Sequence, residues 1–368
     1  MKTNQELLKE RVDRVNKAIA LEKPDKTPVV LLTDGFCATH MGVKLSTFCT
    51  SLKASNEVMV ESIKDLGDIE GFDSAFVAAN LFPLTLMTKI KLPGRDLPEN
   101  TLWQLDEKEL MTRDDYDTII NKGWASFNRD YVKNRLNIDL DSLMEELSGT
   151  PQMVKNFEDA GYLVYSPLVI NLVNEKISGG RSMPKFIRDI YTIPDKVEAV
   201  IDIIQQETLE ELRMQIRQTN SKIVFISPAR GASEFYSLKL WERFIWKYLK
   251  QVADAIHEEG AVVNFHMDSN WERDLEYFRC FPKGRCVFET DGVTDLYRAK
   301  EVLGDRMCLK GDVPAALLTL GTPDDVYNYS AKLIKDMGPG FILSSGCAIP
   351  VNAKVENVKA MISAASGK

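Results

Sequence analysis

Short apolar, β-branched runs recur along the chain at 28–33, 72–79, 162–170, 222–227, 261–266, 285–289, 307–311 and 340–345, each bounded by Gly, Pro or polar turn residues. They predict eight strands. Between the later runs the spacing becomes helical. Leu240, Phe244, Leu249, Val252 and Ile256 mark one apolar stripe, and Gly260 stops it just before the run that opens at Ala261. In Gly321-Thr322-Pro323-Asp324-Asp325-Val326, Thr322 is placed to cap a helix and Pro323 to occupy its first turn, ahead of Tyr329, Leu333 and Ile334. Strand-helix alternation calls for a parallel sheet, and eight strands make a closed (β/α)8 TIM barrel the economical arrangement.

The stretch 81–160 breaks the alternation with turn-rich pieces and predicted helices at 114–122 and 124–135. We read it as an insertion after the second strand, placed to act as a lid over the mouth of a single barrel domain spanning 1–368. Composition narrows the partners. Hydrophobic residues are 44% and charged residues 27% of 368, and 46 basic against 54 acidic side chains give a net charge of −8. That balance argues against nucleic acid or an anionic membrane as partner. No segment carries the roughly 18 uninterrupted apolar residues of a membrane span, the N-terminus lacks a secretory pattern, and six cysteines without a C-x-x-C pair fit a reducing, cytoplasmic setting. A homodimer is compatible with the sequence.

In such a barrel the residues just past the strands' C-terminal ends converge. Here they are Asp34, Cys37 and His40; Asn80; Asn171; Arg230 and Glu234; His266, Asp268 and Asn270; Glu289 and Asp291; Asp312; and Ser345 and Cys347. They are metal ligands and carboxylates, and the chain has neither a Gly-rich phosphate loop nor a dinucleotide fingerprint. His266 and Asp268 alternate along one strand and so share a face, while Cys347 follows a glycine that permits a sharp turn. Imidazole, carboxylate and thiolate suit a Zn²⁺ with an open position. The same residues are also compatible with a hydrogen-bonded core histidine and a small buried thiol. Arg230 is placed either to clamp a substrate carboxylate or to pair with Glu234. Phe36, Phe235, Tyr236 and Trp271 could line a slot for an aromatic ring or simply pack the core. His257 suits a helix C-terminus, Cys308 the barrel floor, and Cys280 and Cys286 a structural turn.

The segments Lys310-Gly311-Asp312-Val313-Pro314, 318–326, 340–350 and Glu356-Asn357-Val358, with Glu10-Arg11-Val12, 24–29 and 237–248 earlier, resemble in order and spacing the uroporphyrinogen decarboxylase superfamily. The resemblance implies a (β/α)8 barrel and one of two chemistries. Its decarboxylases carry an arginine- and glycine-rich segment after the first strand for the propionates of a tetrapyrrole. Here Thr33-Asp34-Gly35-Phe36-Cys37-Ala38-Thr39-His40 has no arginine, so a buried polyanion would lack compensation.

The other branch comprises corrinoid-dependent methyltransferases, in which a His-x-Cys pair and a distant Cys hold zinc. His266 and Cys347 match two of those positions, and Asp268 stands where thiol-activating members have Cys. A carboxylate ligand makes zinc a harder Lewis acid, which favours an oxygen substrate; alternatively Asp268 stands behind the ligands and Glu289, Asp291 or Glu234 supplies the third. The expected activity is therefore transfer of a methyl group between a small methylated substrate, foremost an aryl methyl ether, and the Co(I) corrinoid of a separate carrier protein. Asp268, Glu234 and Arg230 are the expected catalytic residues, and His266, Cys347, Asp268 and Glu289 the metal set. Thiol methylation from a methylcorrinoid, tetrapyrrole decarboxylation and a non-catalytic binding barrel are the alternatives.

Overall fold

The computed structural model describes residues 2–77 and 79–367. Nine short parallel strands build eight barrel positions: β1 (Val30–Leu31), β2 (Gly71–Phe72), β5 (Leu163–Val164), β6 (Leu168–Asn171), β7 (Ile223–Ser227), β8 (Val262–Met267), β9 (Cys286–Thr290), β10 (Cys308–Val313) and β11 (Phe341–Ser345). Hydrogen bonding groups them into two arcs, β1-β2-β5 and β6-β7-β8-β9-β10-β11. β5 and β6 are two halves of the third barrel strand. Isolated bridges from Val29 to Leu343 and Thr33 to Ile349 close the circle between β1 and β11.

Two of the predicted strands differ from the observed ones for identifiable reasons. The run 162–170 is interrupted at Ser166-Pro167, where proline has no N–H to give the ladder and Ser166 N turns to Asp73 O instead. The run 72–79 pairs only at Gly71–Phe72, and its Ala78 lies outside the described residues. Its later backbone groups are satisfied by helix Leu52–Leu66: Val77 N donates to Ser55 Oγ (2.7 Å), and Asn56 Nδ2 donates to Ala75 O (2.8 Å). A buried apolar run thus reads as a strand although side chains, rather than a neighbouring strand, meet its polar groups.

The opening helix, Asn4–Ile19, places Val15, Ala18 and Ile19 against Val30, Ile223, Val287, Cys308 and Ile342, closing the N-terminal end of the barrel. Cys308 therefore faces the floor, as expected. Helix Pro323–Met337 starts as its sequence predicts, with Thr322 and Asp325 forming a reciprocal cap.

Within 81–160, helices Arg113–Lys122 and Trp124–Tyr131 appear where expected, the second widening into a π-turn over Val132–Leu136. An unanticipated hairpin of β3 (Lys89–Lys91) and β4 (Gln104–Asp106) precedes them. The last helix of the stretch, Thr150–Asp159, packs Phe157 edge-on to Phe72 of β2 (6.0 Å), and so serves as the barrel's own crossover to the third strand. The remainder meets the barrel closely at Gly179, where a Cβ would stand 1.7 Å from Leu86 O. Among the described residues no helix is long and apolar enough to cross a membrane.

Candidate metal centre at the barrel mouth

β8 is buried along nearly its whole length, and its alternation turns Asn264 and His266 to the same side. Asp268 follows immediately past the strand's end, and Cys347 follows β11. These three come together: one ligand atom from each of His266, Asp268 and Cys347 lies within 4.8 Å of the others. His266 Nε2 is 3.2 Å from Asp268 Oδ1 and 3.6 Å from Cys347 Sγ. Tetrahedral zinc with bonds of about 2.0–2.3 Å separates neighbouring ligand atoms by about 3.3–3.8 Å, so the donor set fits that ion in kind, and both distances from His266 Nε2 lie close to its spacing. Gly346 matters here by close approach, since a Cβ would meet Asp291 O at 2.7 Å.

The other imidazole nitrogen looks into the barrel. Glu289 Oε2 lies 3.2 Å from His266 Nδ1, without the alignment of a hydrogen bond, so Nδ1 is buried with no hydrogen-bond partner. Glu289, expected among the ligands, thus stands on the side of the ring away from Asp268 and Cys347. Behind it is a fully buried polar layer: Lys310 Nζ contacts Glu289 Oε1 at 3.1 Å and both oxygens of Asp73 at 2.7 and 2.8 Å, and Asn264 Nδ2 donates to Glu289 Oε2 at 3.0 Å. Burial raises the Glu289 carboxyl, but the Lys310 and His266 charges outweigh it and hold the group down at about 2. Burial opposes a charged His266, yet the Glu289 carboxylate and hydrogen bonds with Asp268 and Cys347 carry it well above its ordinary value. Phe225, from β7, stacks on the ring at 5.0 Å.

The remaining expected site residues divide. Arg230 does not pair with Glu234: its Nη2 donates to Glu107 of the inserted segment (3.2 Å), its Nε is 4.0 Å from Glu175, and its Nη1 is buried without a partner. Glu234 is exposed in a single turn outside the cluster. Asp291 accepts from Ser269 N and Val293 N and fixes two loops. His40 is held by Ser62 and Asp65, at 2.9 Å each. Burial pushes the Cys37 thiol up to about 11. Of the aromatic candidates, Phe36, Tyr236 and Trp271 are core, with Trp271 Nε1 donating to Asp268 O at 2.7 Å, whereas Phe235 is exposed. Asn80 lines a cavity of about 420 Å³ inside the inserted segment, together with Leu136 and Leu143.

Three groups escaped the sequence reading. Glu175, at the start of helix Val173–Arg181, accepts from Arg230 N at 2.6 Å, and burial pushes it up to about 7. Trp103 donates to Asp34, which burial raises to about 6, and packs on Phe82 at 4.4 Å. Asp73 lies on β2's overrun, where a strand was expected to continue. None has a local sequence signal; each becomes significant only through a partner far away in the chain.

A sequence model described as uroporphyrinogen decarboxylase (URO-D) matches residues 172–367, just over half of the chain. Among curated proteins, the uroporphyrinogen decarboxylase of Dichelobacter nodosus is 24% identical over 178 residues, covering 47% of this chain and 49% of that one. The methylcobamide:CoM methyltransferase MtbA of Methanosarcina acetivorans is 24% identical over 177 residues, covering 48% and 51%. The chain thus spans about half the length of the curated relatives it matches. A methyltransferase structure from Methanosarcina mazei superposes with a TM-score of 0.72 at 17% identity, covering 96% of this chain and 97% of that one, and bears out the barrel.

Proposed function

Because this chain belongs to the uroporphyrinogen decarboxylase family, and its barrel mouth gathers an imidazole, a carboxylate and a thiol where that fold places chemistry, we propose that it is a zinc-dependent methyltransferase. It moves a methyl group between a small methylated substrate, foremost an aryl methyl ether, and the corrinoid of a separate carrier protein. The observation that carries this reading is the convergence of His266, Asp268 and Cys347. The named methyltransferase relative and the barrel superposition support it.

His266, Cys347 and Asp268 would hold the metal. Zinc bound there supplies a Lewis acid for the ether oxygen, and the carrier's corrinoid supplies the methyl acceptor. The chain's own residues prepare the site. Glu289 turns the histidine so that Nε2 faces the mouth, and Phe225 restricts the ring. Asp268 serves as the third ligand and hardens the set toward oxygen. Arg230, anchored on Glu107 and Glu175, keeps Nη1 free for a polar substituent of the substrate. The segment bearing Trp103 and Glu107 covers the face beside Asp34 and Arg230 and excludes water as a lid. Glu234, exposed and outside the cluster, takes no part.

A second reading, decarboxylation, draws on the curated decarboxylase relative. Past the first strand, however, this chain offers Asp34 and no arginine, so a polycarboxylate would meet a like charge.

The test is elemental analysis and corrinoid-coupled demethylation with wild type, His266→Ala and Cys347→Ala. About one zinc per wild-type chain is expected, with metal and methyl transfer lost in both variants and the circular dichroism spectrum retained. Full activity in either variant overturns the site.

A further inference from the structure

Lys310 is wholly enclosed, and no substrate entering the mouth could touch it. Barrel interiors are ordinarily layers of branched apolar side chains. An ammonium between two carboxylates is a costly substitute, and apolar replacements of buried ion clusters are often at least as stable. What the cluster does is geometrical. Asp73, itself bonded by Ser166 Oγ at 3.3 Å, grips Lys310 with both oxygens. The Tyr165 ring closes the ammonium's flank at 4.9 Å. Lys310 Nζ then reaches Glu289 Oε1, which leaves Oε2, shared with Asn264 Nδ2, beside His266 Nδ1.

We propose that Lys310, fixed by Asp73 across the barrel, is a positioning residue for the metal: its charge contact with one Glu289 oxygen keeps the other 3.2 Å from His266 Nδ1, so that Nε2 is the nitrogen presented to Asp268 and Cys347. The inference rests on the zinc reading above and extends it to groups two contacts removed from the ligands. Carboxylates behind a ligating histidine fix its tautomer and orientation, and losing such support typically weakens metal binding about 10- to 100-fold. Lys310 and Asp73 bring two further barrel positions, β10 and β2, into that support.

The experiment is zinc affinity by competition with a chromophoric chelator, together with ¹⁵N-histidine NMR, which has only three rings to assign. Lys310→Met is expected to lose about 10- to 100-fold in zinc affinity and, when loaded with zinc, to show the metal divided between the two His266 nitrogens. Cys308→Ala, a packing change in the same strand with no link to Glu289, should lower the melting temperature and leave affinity unchanged. If Lys310→Met does not fold, Lys310→Met/Asp73→Leu removes the stranded carboxylate and should show the same loss. Wild-type affinity in either folded variant overturns the proposal. Should neither fold, zinc-loaded wild type decides: Nδ1–H with metal on Nε2 upholds it, and metal on Nδ1 overturns it. A wild type that binds no zinc fails the functional reading itself, and this inference with it.

Discussion

Glu175 is enclosed at the edge of the mouth, and its carboxyl sits at about 7 because burial disfavours the charged form more than the Arg230 amide and guanidinium favour it. A folded value above the ordinary 4.5 means stability present at low pH and lost as pH rises toward 7. At about 1.4 kcal/mol per pH unit the loss is roughly 3 kcal/mol. Thermal melts of wild type and Glu175→Gln at pH 5 and pH 8 should show the variant gaining relative to wild type at pH 8; parallel melts would refute this. Asp268 invites the opposite kind of test. Asp268→Cys gives the His-x-Cys spacing, and should still bind zinc while ether demethylation falls by at least about tenfold, since a thiolate softens the metal. Unchanged activity on the ether would show that the carboxylate does not set the preference for oxygen.

At the scale of elements, the Thr322 cap and the Gly179 contact give separable expectations. Thr322→Ala frees the first-turn amides of helix Pro323–Met337 and should cost about 1 kcal/mol in denaturant titration, with no change in zinc content. Gly179→Ala forces a Cβ onto Leu86 O, so helix Val173–Arg181 and the inserted segment must separate. Limited proteolysis should then cut within 81–149 well before the barrel, and equal protection would contradict that contact's importance. These elements also show what was legible in the chain. Helix Pro323–Met337 and the five strands from β7 to β11 were readable because cap, stop and alternation are local signals, and the His266–Cys347 pair because the family resemblance marks both positions. The broken third strand, the short β2 and the hairpin β3-β4 were not. The first two depend on Ser55, Asn56 and Asp73 meeting distant backbone, and the hairpin pairs strands of three residues across a long loop, neither of which periodicity reports. The same limit hid Glu175, Trp103 and the Lys310 cluster, and with them the placing of Glu289 beside Nδ1 of His266, on the side away from Asp268 and Cys347.

For the whole molecule, a metal held as proposed would join β8 to the turn after β11, tying the middle of one arc to its end, and an ion that binds only the folded state stabilises it. With free zinc at about 100 times its dissociation constant the gain is about 2.7 kcal/mol. A chelator should lower the melting temperature of wild type and leave Cys347→Ala where it was. Equal sensitivity in both would place the bound metal elsewhere.

The break at Ser166-Pro167 leaves the barrel as a three-strand arc and a six-strand arc, and the residues of the proposed metal site are unevenly shared between them. His266, Asp268, Glu289, Lys310 and Cys347 all belong to the larger arc, within the span 172–367 that carries the family likeness. Asp34, Trp103 and Glu107 belong to the smaller arc and its inserted loop. On the proposed reading, the metal-binding groups and the residues that cover the mouth are thereby written on different stretches of the chain, joined at a seam where the ladder is already interrupted. On that reading a lineage could redraw the mouth-covering residues around Asp34 and Trp103 while inheriting the metal-binding groups intact, provided that Asp73, with Tyr165 and Ser166 beside it, stays to hold Lys310.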